Sequence, residues 1–132
     1  MTRVTKVKWG MRVWTIKEFA KALEDRVKRF AVRIIRLSSK IPNTSEGKVI
    51  RTQITKSGTS IGANYREANR ARSKADFRNK IRICESEASD TQYWLEVLEE
   101  TKLLPEGGVG EEHSECGELL APFSSIGKNI TL

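Results

Sequence analysis

Thiol and imidazole side chains are almost missing from this sequence, which has two cysteines and one histidine in 132 residues. Cys84 and Cys116 lie far apart and lack metal-ligand spacing, so neither a disulfide framework nor a structural metal is indicated. The pair reads as two buried or half-buried thiols in a reducing cytosol. His113 stands alone among Glu111, Glu112 and Glu115 and reads as a solvated surface histidine. Cys116, three residues on, would be only a second metal ligand. No run of about 18 apolar residues is present, which excludes a membrane-spanning helix. The basic segment Met1 to Trp14 is not followed by the apolar stretch of a secretory signal, so the expected location is the cytoplasm. Prolines number three, and no strand-like alternation of useful length is visible, which leaves long helices as the main element.

What is present is charge, and it is unevenly placed. Charged residues make up 31% of the chain and hydrophobic residues 38%, as expected for a helical protein with a heavily charged surface. The length suits one domain, residues 1–132, able to bury a core without staples. The net charge of +7 divides into +16 over residues 1–82 and −9 over residues 83–132. Such an asymmetry presents a basic surface to nucleic acid, or lets the basic part of one subunit meet the acidic part of another.

Apolar spacing predicts four helices. The first covers about 15–38, with Ile16, Phe19, Ala20, Leu23, Val27, Phe30, Ala31, Ile34 and Ile35 as one stripe. Thr15 and Glu18 form a capping-box pair at its start, and Pro42 with Asn43-Thr44-Ser45 marks the loop after it. The second covers about 47–69, with Ile50, Ile54, Ser57, Gly58, Ile61, Tyr65 and Ala68 on one face. Gly58 and Gly62 sit inside it, each at a helix cost of roughly 0.5–1 kcal/mol relative to alanine, which predicts close approach by another backbone. The third covers about 74–104, capped by Ser73 with Asp76, with Phe77, Ile81, Cys84, Ala88, Thr91, Leu95 and Leu98 in its stripe. Pro105 and Gly107-Gly108 are the expected stop. The fourth covers about 111–128, with Cys116, Leu119, Leu120, Phe123 and Ile126 at helical spacing and Pro122 expected to kink or split it. Four amphipathic helices on short connections predict an all-α, antiparallel up-down-up-down four-helix bundle behind a basic N-terminal arm, residues 1–14.

The stretch Ser57-Gly58-Thr59-Ser60-Ile61-Gly62-Ala63-Asn64-Tyr65-Arg66-Glu67-Ala68 resembles the second-helix signature of the four-helix-bundle protein family. The founding members of that family are encoded by intervening sequences within bacterial 23S rRNA genes. A second block follows in the same order: Ser73-Lys74-Ala75-Asp76-Phe77, Lys80, Ile81, Cys84, Glu87-Ala88, Thr91 and Tyr93-Trp94-Leu95-Glu96. The match is specific over about Ile50 to Leu104 and is one of pattern in the first and fourth helices. Ser89-Asp90 departs from the family's usual basic residue and glutamate, and Pro122 is unusual for its last helix. The resemblance implies a left-handed bundle assembling into a homopentameric ring, without a cofactor or an established catalytic activity. Some relatives, the accessory proteins of diversity-generating retroelements, bind nucleic acid through a basic surface.

Two groups of residues are candidate sites. Ser60, Asn64 and Glu67 share an edge of the second helix, and Lys80, Glu87, Thr91 and Trp94 an edge of the third. Buried polar groups need partners, so a network is expected that pairs Lys80 with Glu67 or Glu87 and Asn64 with Thr91, setting register between helices or subunits. No nucleophile, metal cluster or general base accompanies the carboxylates, so no catalytic, cofactor or metal residues and no small-molecule substrate are expected. The second group is basic. Arg66, Arg70, Arg72, Lys74, Arg78, Lys80 and Arg82 crowd residues 66–82 with only Glu67 and Asp76 against them, and Lys17, Lys21, Lys28, Arg29, Arg33, Arg36 and Lys40 line the first helix. From these, Arg66, Arg70, Arg72, Lys74, Arg78, Arg82, Arg29 and Arg33 are the expected nucleic-acid contacts, acting on phosphates without reading sequence. Trp9 and Trp14, flanked by Lys8 and Arg12, either stack bases or pack as an arm against a neighbouring subunit, packing being favoured. The expected protein is therefore a non-enzymatic oligomer that binds RNA or DNA, RNA being favoured by the family's gene context. The alternative is an interaction module whose charge asymmetry serves assembly alone.

Overall fold

The structure, a computed structural model, describes residues 6–104 and 108–129. Its elements run β1 (Lys6–Trp9), β2 (Arg12–Thr15), α1 (Ile16–Ser38), α2 (Ser45–Ala68), α3 (Lys74–Thr101) and α4 (Gly110–Asn129). Three of the helix starts follow from capping chemistry. Thr15 and Glu18 complete a reciprocal capping box on α1. Thr44 accepts from the Gly47 amide, which starts α2 two residues earlier than apolar spacing alone suggests. Ser73 accepts from the Asp76 amide on α3. The third helix ends at Thr101, three residues short of expectation, with Lys102 in the left-handed region at φ 55° as its cap. Pro105 and Gly107, the expected stop, lie outside the described residues, as do residues 1–5 of the expected arm. Helix α4 runs on through Pro122 without a split, and Pro122 is buried within it.

Each helix packs on its neighbours in sequence, and α1 also meets α4, so the four form a closed square with α1 diagonal to α3. Contacts fix the directions. Gly58 and Gly62 of α2 face Ile34 and Val27 of α1. Cys84 and Thr91 of α3 bond to Ile61 and Ser57 of α2. Cys116 of α4 donates to the Ala88 carbonyl of α3, and His113 meets Glu96. Rising numbers on one helix meet falling numbers on the next, so neighbours are antiparallel. The core takes Leu23, Val27, Phe30 and Ile34 from α1, Ile54 and Ile61 from α2, Ile81, Leu95 and Leu98 from α3, and Leu119 and Phe123 from α4. Each such side chain contributes about 1.5–3 kcal/mol on burial. In α1, Ile16 and Ile35 fall outside this core and are exposed. The stripe is narrower than the sequence pattern, with Leu37 taking the last core position.

Gly58 justifies its helix cost, because a Cβ there would lie 2.7 Å from Ile34 Cγ2. Gly62 is different. A Cβ there would meet Val27 Cγ2 and its carbonyl oxygen at 3.5 Å, an ordinary contact.

The arm is a two-stranded hairpin, which corrects the all-helical expectation. Lys6 pairs with Thr15, Val7 with Trp14, Lys8 with Val13 and Trp9 with Arg12, around Gly10-Met11. Gly10 has φ 66°, the positive value that the first position of a two-residue hairpin loop favours. The half-buried Val7, Trp9 and Trp14 turn toward the bundle, while Lys6, Lys8 and Val13 face out. Trp9 meets Phe19 edge-on with centroids 5.5 Å apart, and the Trp14 indole donates to the Trp9 carbonyl at 3.2 Å. Both tryptophans therefore pack at least in part on their own chain.

Candidate functional site

Antiparallel packing puts the start of α1, the end of α2, the start of α3 and the end of α4 at one end of the bundle. The five-residue turn between α2 and α3 lies there, and with it the densest group of cations. Arg70, Arg72, Lys74 and Arg82 are exposed and Arg78 is half-buried. None of the five forms an ion pair among the described residues. The Arg78 Nε is buried without a hydrogen-bond partner among them, an unmet donor of the kind that costs about 1–3 kcal/mol. Its guanidinium is the one member of the cluster held partly out of water.

Of the three remaining sequence candidates, two are already engaged. Arg66 donates to Glu24 of α1 at 3.2 Å. Arg33 reaches Glu112 of α4 at 3.2 Å, with Glu111 at 3.8 Å. Arg33 thus serves the α1–α4 seam, a use that its position among exposed α1 cations did not reveal. Arg29 stays exposed on α1, away from the α2–α3 turn. The residue missed altogether is Arg26. It donates from Nε to Glu115 at 2.7 Å and from Nη2 to Glu118 at 2.6 Å, and lies 4.7 Å from the Trp9 ring centroid. Glu115 and Glu118 at i and i+3 on α4 were the available signal, since helix neighbours at that spacing present one acidic face.

The polar seam between α2 and α3 is only partly the expected one. Lys80 pairs with Glu67 at 2.8 Å, and the hydrogen bond to Glu67 is the main reason its ammonium is held above the usual lysine range. Asn64 and Thr91 do not pair. Asn64 donates to the Ser60 carbonyl at 2.8 Å and Ser60 to the Lys56 carbonyl at 2.6 Å, so both are satisfied within α2. Thr91 donates to its own helix at the Glu87 carbonyl, 2.7 Å away, and its hydroxyl sits 2.9 Å from that of Ser57. Ser57 is a fully packed serine on the apolar face, which is why spacing alone did not mark it as the partner. Burial raises the Glu87 carboxyl, Asp90 adds to the shift and Lys56 opposes it. Glu67 answers to Lys80 instead, so the two carboxylates do not form an acid–base pair.

The thiols offer little chemistry. Burial pushes both Cys84 and Cys116 up to about 12, and each donates to a backbone carbonyl. His113 is not merely solvated: its Nε2 lies 2.9 Å from Glu96 Oε2, tying α4 to α3. Among the described residues, no group of three or more His, Cys, Asp or Glu side chains is placed to hold a metal ion. No helix among them is long and apolar enough to cross a membrane.

No curated protein matches the chain. Among solved structures, it is similar to a protein of unknown function from the S23 ribosomal protein family of Bacteroides thetaiotaomicron. The two share 39% identity at a TM-score of 0.76, over 83% of this chain and 98% of the other. Neither that description nor the family's names an enzymatic activity. The model of the 23S rRNA-intervening sequence protein family matches residues 22–130. The match takes in all of α2, α3 and α4 and most of α1, so the chain belongs to the 23S rRNA-intervening sequence protein family.

Proposed function

We propose that this protein is a non-enzymatic, self-assembling helical bundle of the cytoplasm that binds RNA or DNA through the cations around the α2–α3 turn. The observation that carries the reading is the sorting of the basic residues. Arg26, Arg33, Arg66 and Lys80 are spent on ion pairs within the chain, whereas Arg70, Arg72, Lys74, Arg78 and Arg82 cluster at one end without such partners among the described residues. Phosphates are the acceptors that suit them: arginine forks bind phosphate oxygens in pairs, and displaced counterions drive association. Recognition would be by backbone charge rather than by base. The two indoles pack on their own chain, and the exposed ring of Tyr93 lies toward the other end of α3. A homopentameric ring would repeat the cluster about an axis and multiply weak phosphate contacts.

Filter binding of generic RNA and DNA fragments at two salt concentrations tests the reading. Binding at low salt that weakens steeply at higher salt is expected, with RNA at least equal to DNA. Undetectable binding at low salt, or binding indifferent to salt, would leave the interaction module, whose charges serve assembly alone.

A further inference from the structure

We infer that copies of this chain join head to tail, the outer face of α1 around Val32 and Ile35 docking on the outer face of α3 around Tyr93 in the next copy. The inference rests on the self-assembly in the proposed function and gives it a surface. Large apolar side chains stand open on the helices, and two groups of them lie opposite each other across the bundle. Val32 and Ile35 are 42% and 51% exposed on α1, and Tyr93 is 58% exposed on α3, its ring edge-on to the half-buried Trp94 at 5.0 Å. A hydrophobic centre with a charged rim is the usual anatomy of an interface between proteins.

The rims are opposite in sign. Residues 26–45 contain no acidic side chain, and Lys28, Arg29, Arg36 and Lys40 surround Val32 and Ile35 on the exposed side. Residues 83–101 contain no lysine or arginine, and Asp90 and Glu96 lie within about a turn of Tyr93 with Glu100 about two turns on, all exposed. Apart from Glu96, which meets His113, none of these charges has an ion-pair partner among the described residues.

The faces cannot satisfy each other within one molecule, because α1 and α3 sit on the diagonal of the square. They do lie at one height. Ile34 of α1 faces Gly58 of α2, and the adjacent Ser57 faces Thr91 of α3, so Val32, Ile35 and Tyr93 share a level within about one helical turn. Different patches on the two partners make a heterologous contact, which generates a ring when the rotation closes and a filament when it does not. Equal height removes the axial translation that a filament along the bundle axis would need. The contact is also separate from the cations at the α2–α3 turn, which stay free for phosphate.

Light scattering on the full chain and three variants tests this, with circular dichroism to confirm helical folding. Wild type should show a multiple of 15.0 kDa. Lys28→Glu with Arg36→Glu should fall to a single chain, as should Asp90→Lys with Glu100→Lys. All four changes in one chain should restore the wild-type mass, since the reversed rims again match. Tyr93→Ser, which leaves every charge in place, should also lower the mass and serves if a reversal fails to fold. A multimer unaffected by both reversals and by Tyr93→Ser would overturn the assigned surface while leaving self-assembly intact. A wild-type chain of 15.0 kDa would instead remove self-assembly itself.

Discussion

Arg26 on α1 grips Glu115 on α4 with both arms of its guanidinium, Nε to Oε2 at 2.7 Å and Nη2 to Oε1 at 2.5 Å, while Trp9 of the hairpin lies against its face. One side chain thus joins three elements. The α1–α4 contact is the slightest of the four helix pairs in the square, and with Arg33 and Glu112 this pair supplies much of its specificity. The side chains are 27% and 15% exposed, so the pair lies between the surface and buried limits. Arg26→Ala is expected to lower unfolding stability by about 1–3 kcal/mol, above the ~0.2–1 kcal/mol of an exposed pair. Urea denaturation checks it. A loss within error would show that the seam is held by apolar contacts alone.

The same pair sets an acid limit. Burial alone would raise the Glu115 carboxyl, but the hydrogen bonds and charge of Arg26 outweigh it and leave the group below its usual 4.5. A carboxyl depressed on folding stabilises the folded state above the unfolded value, and that contribution is lost as pH falls through the folded one. The contribution of this pair should therefore hold from neutrality to about pH 4.5 and decline below it. Glu115→Gln should flatten the decline in a comparison of thermal midpoints across acid pH.

Gly58 and Gly62 should respond in opposite ways to alanine. At position 58 the new methyl group meets the branched, fully buried Ile34, a costly overlap of the kind worth about 1–3 kcal/mol. At position 62 it finds ordinary contact, so the better helix propensity of alanine should stabilise the monomer by up to about 0.5–1 kcal/mol. Thermal melts of the two variants separate the cases.

The thiols should be silent in the native state. With both groups pushed up to about 12 and both buried, a maleimide or disulfide reagent should label neither until denaturant is added. Rapid labelling of folded protein would contradict the packing around Cys84 and Cys116.

The helices were legible because their signals are local. Thr15, Ser73 and the apolar steps of α2 and α3 act through neighbours three or four residues away, and those elements stand within three residues of the bounds the pattern gave. The hairpin was not, since Lys6-Val7-Lys8-Trp9 alternates over only four residues and reads equally as a basic arm. The long-range polar pairs were also hidden. Arg26 and Glu115 are 89 positions apart, and beyond the acidic spacing of Glu115 and Glu118 nothing local points to the pair or sets Arg26 apart from Arg29. Which cations are tied up and which are free is a property of the packed bundle. The candidate site was therefore readable as a composition, and its membership only from the structure.

The most direct measurement is the salt dependence of RNA binding by wild type and by a chain with Arg70, Arg72 and Arg82 all changed to alanine. Each phosphate contact contributes about 0.9 to the slope of log affinity against log salt on duplex DNA, and about 0.7 on single strands. The wild type should show a steep slope, and the variant should lose roughly two to three units of it per protomer while keeping its helical content and its mass. Equal affinity and equal slope for the two proteins would contradict a phosphate-binding site at the α2–α3 turn.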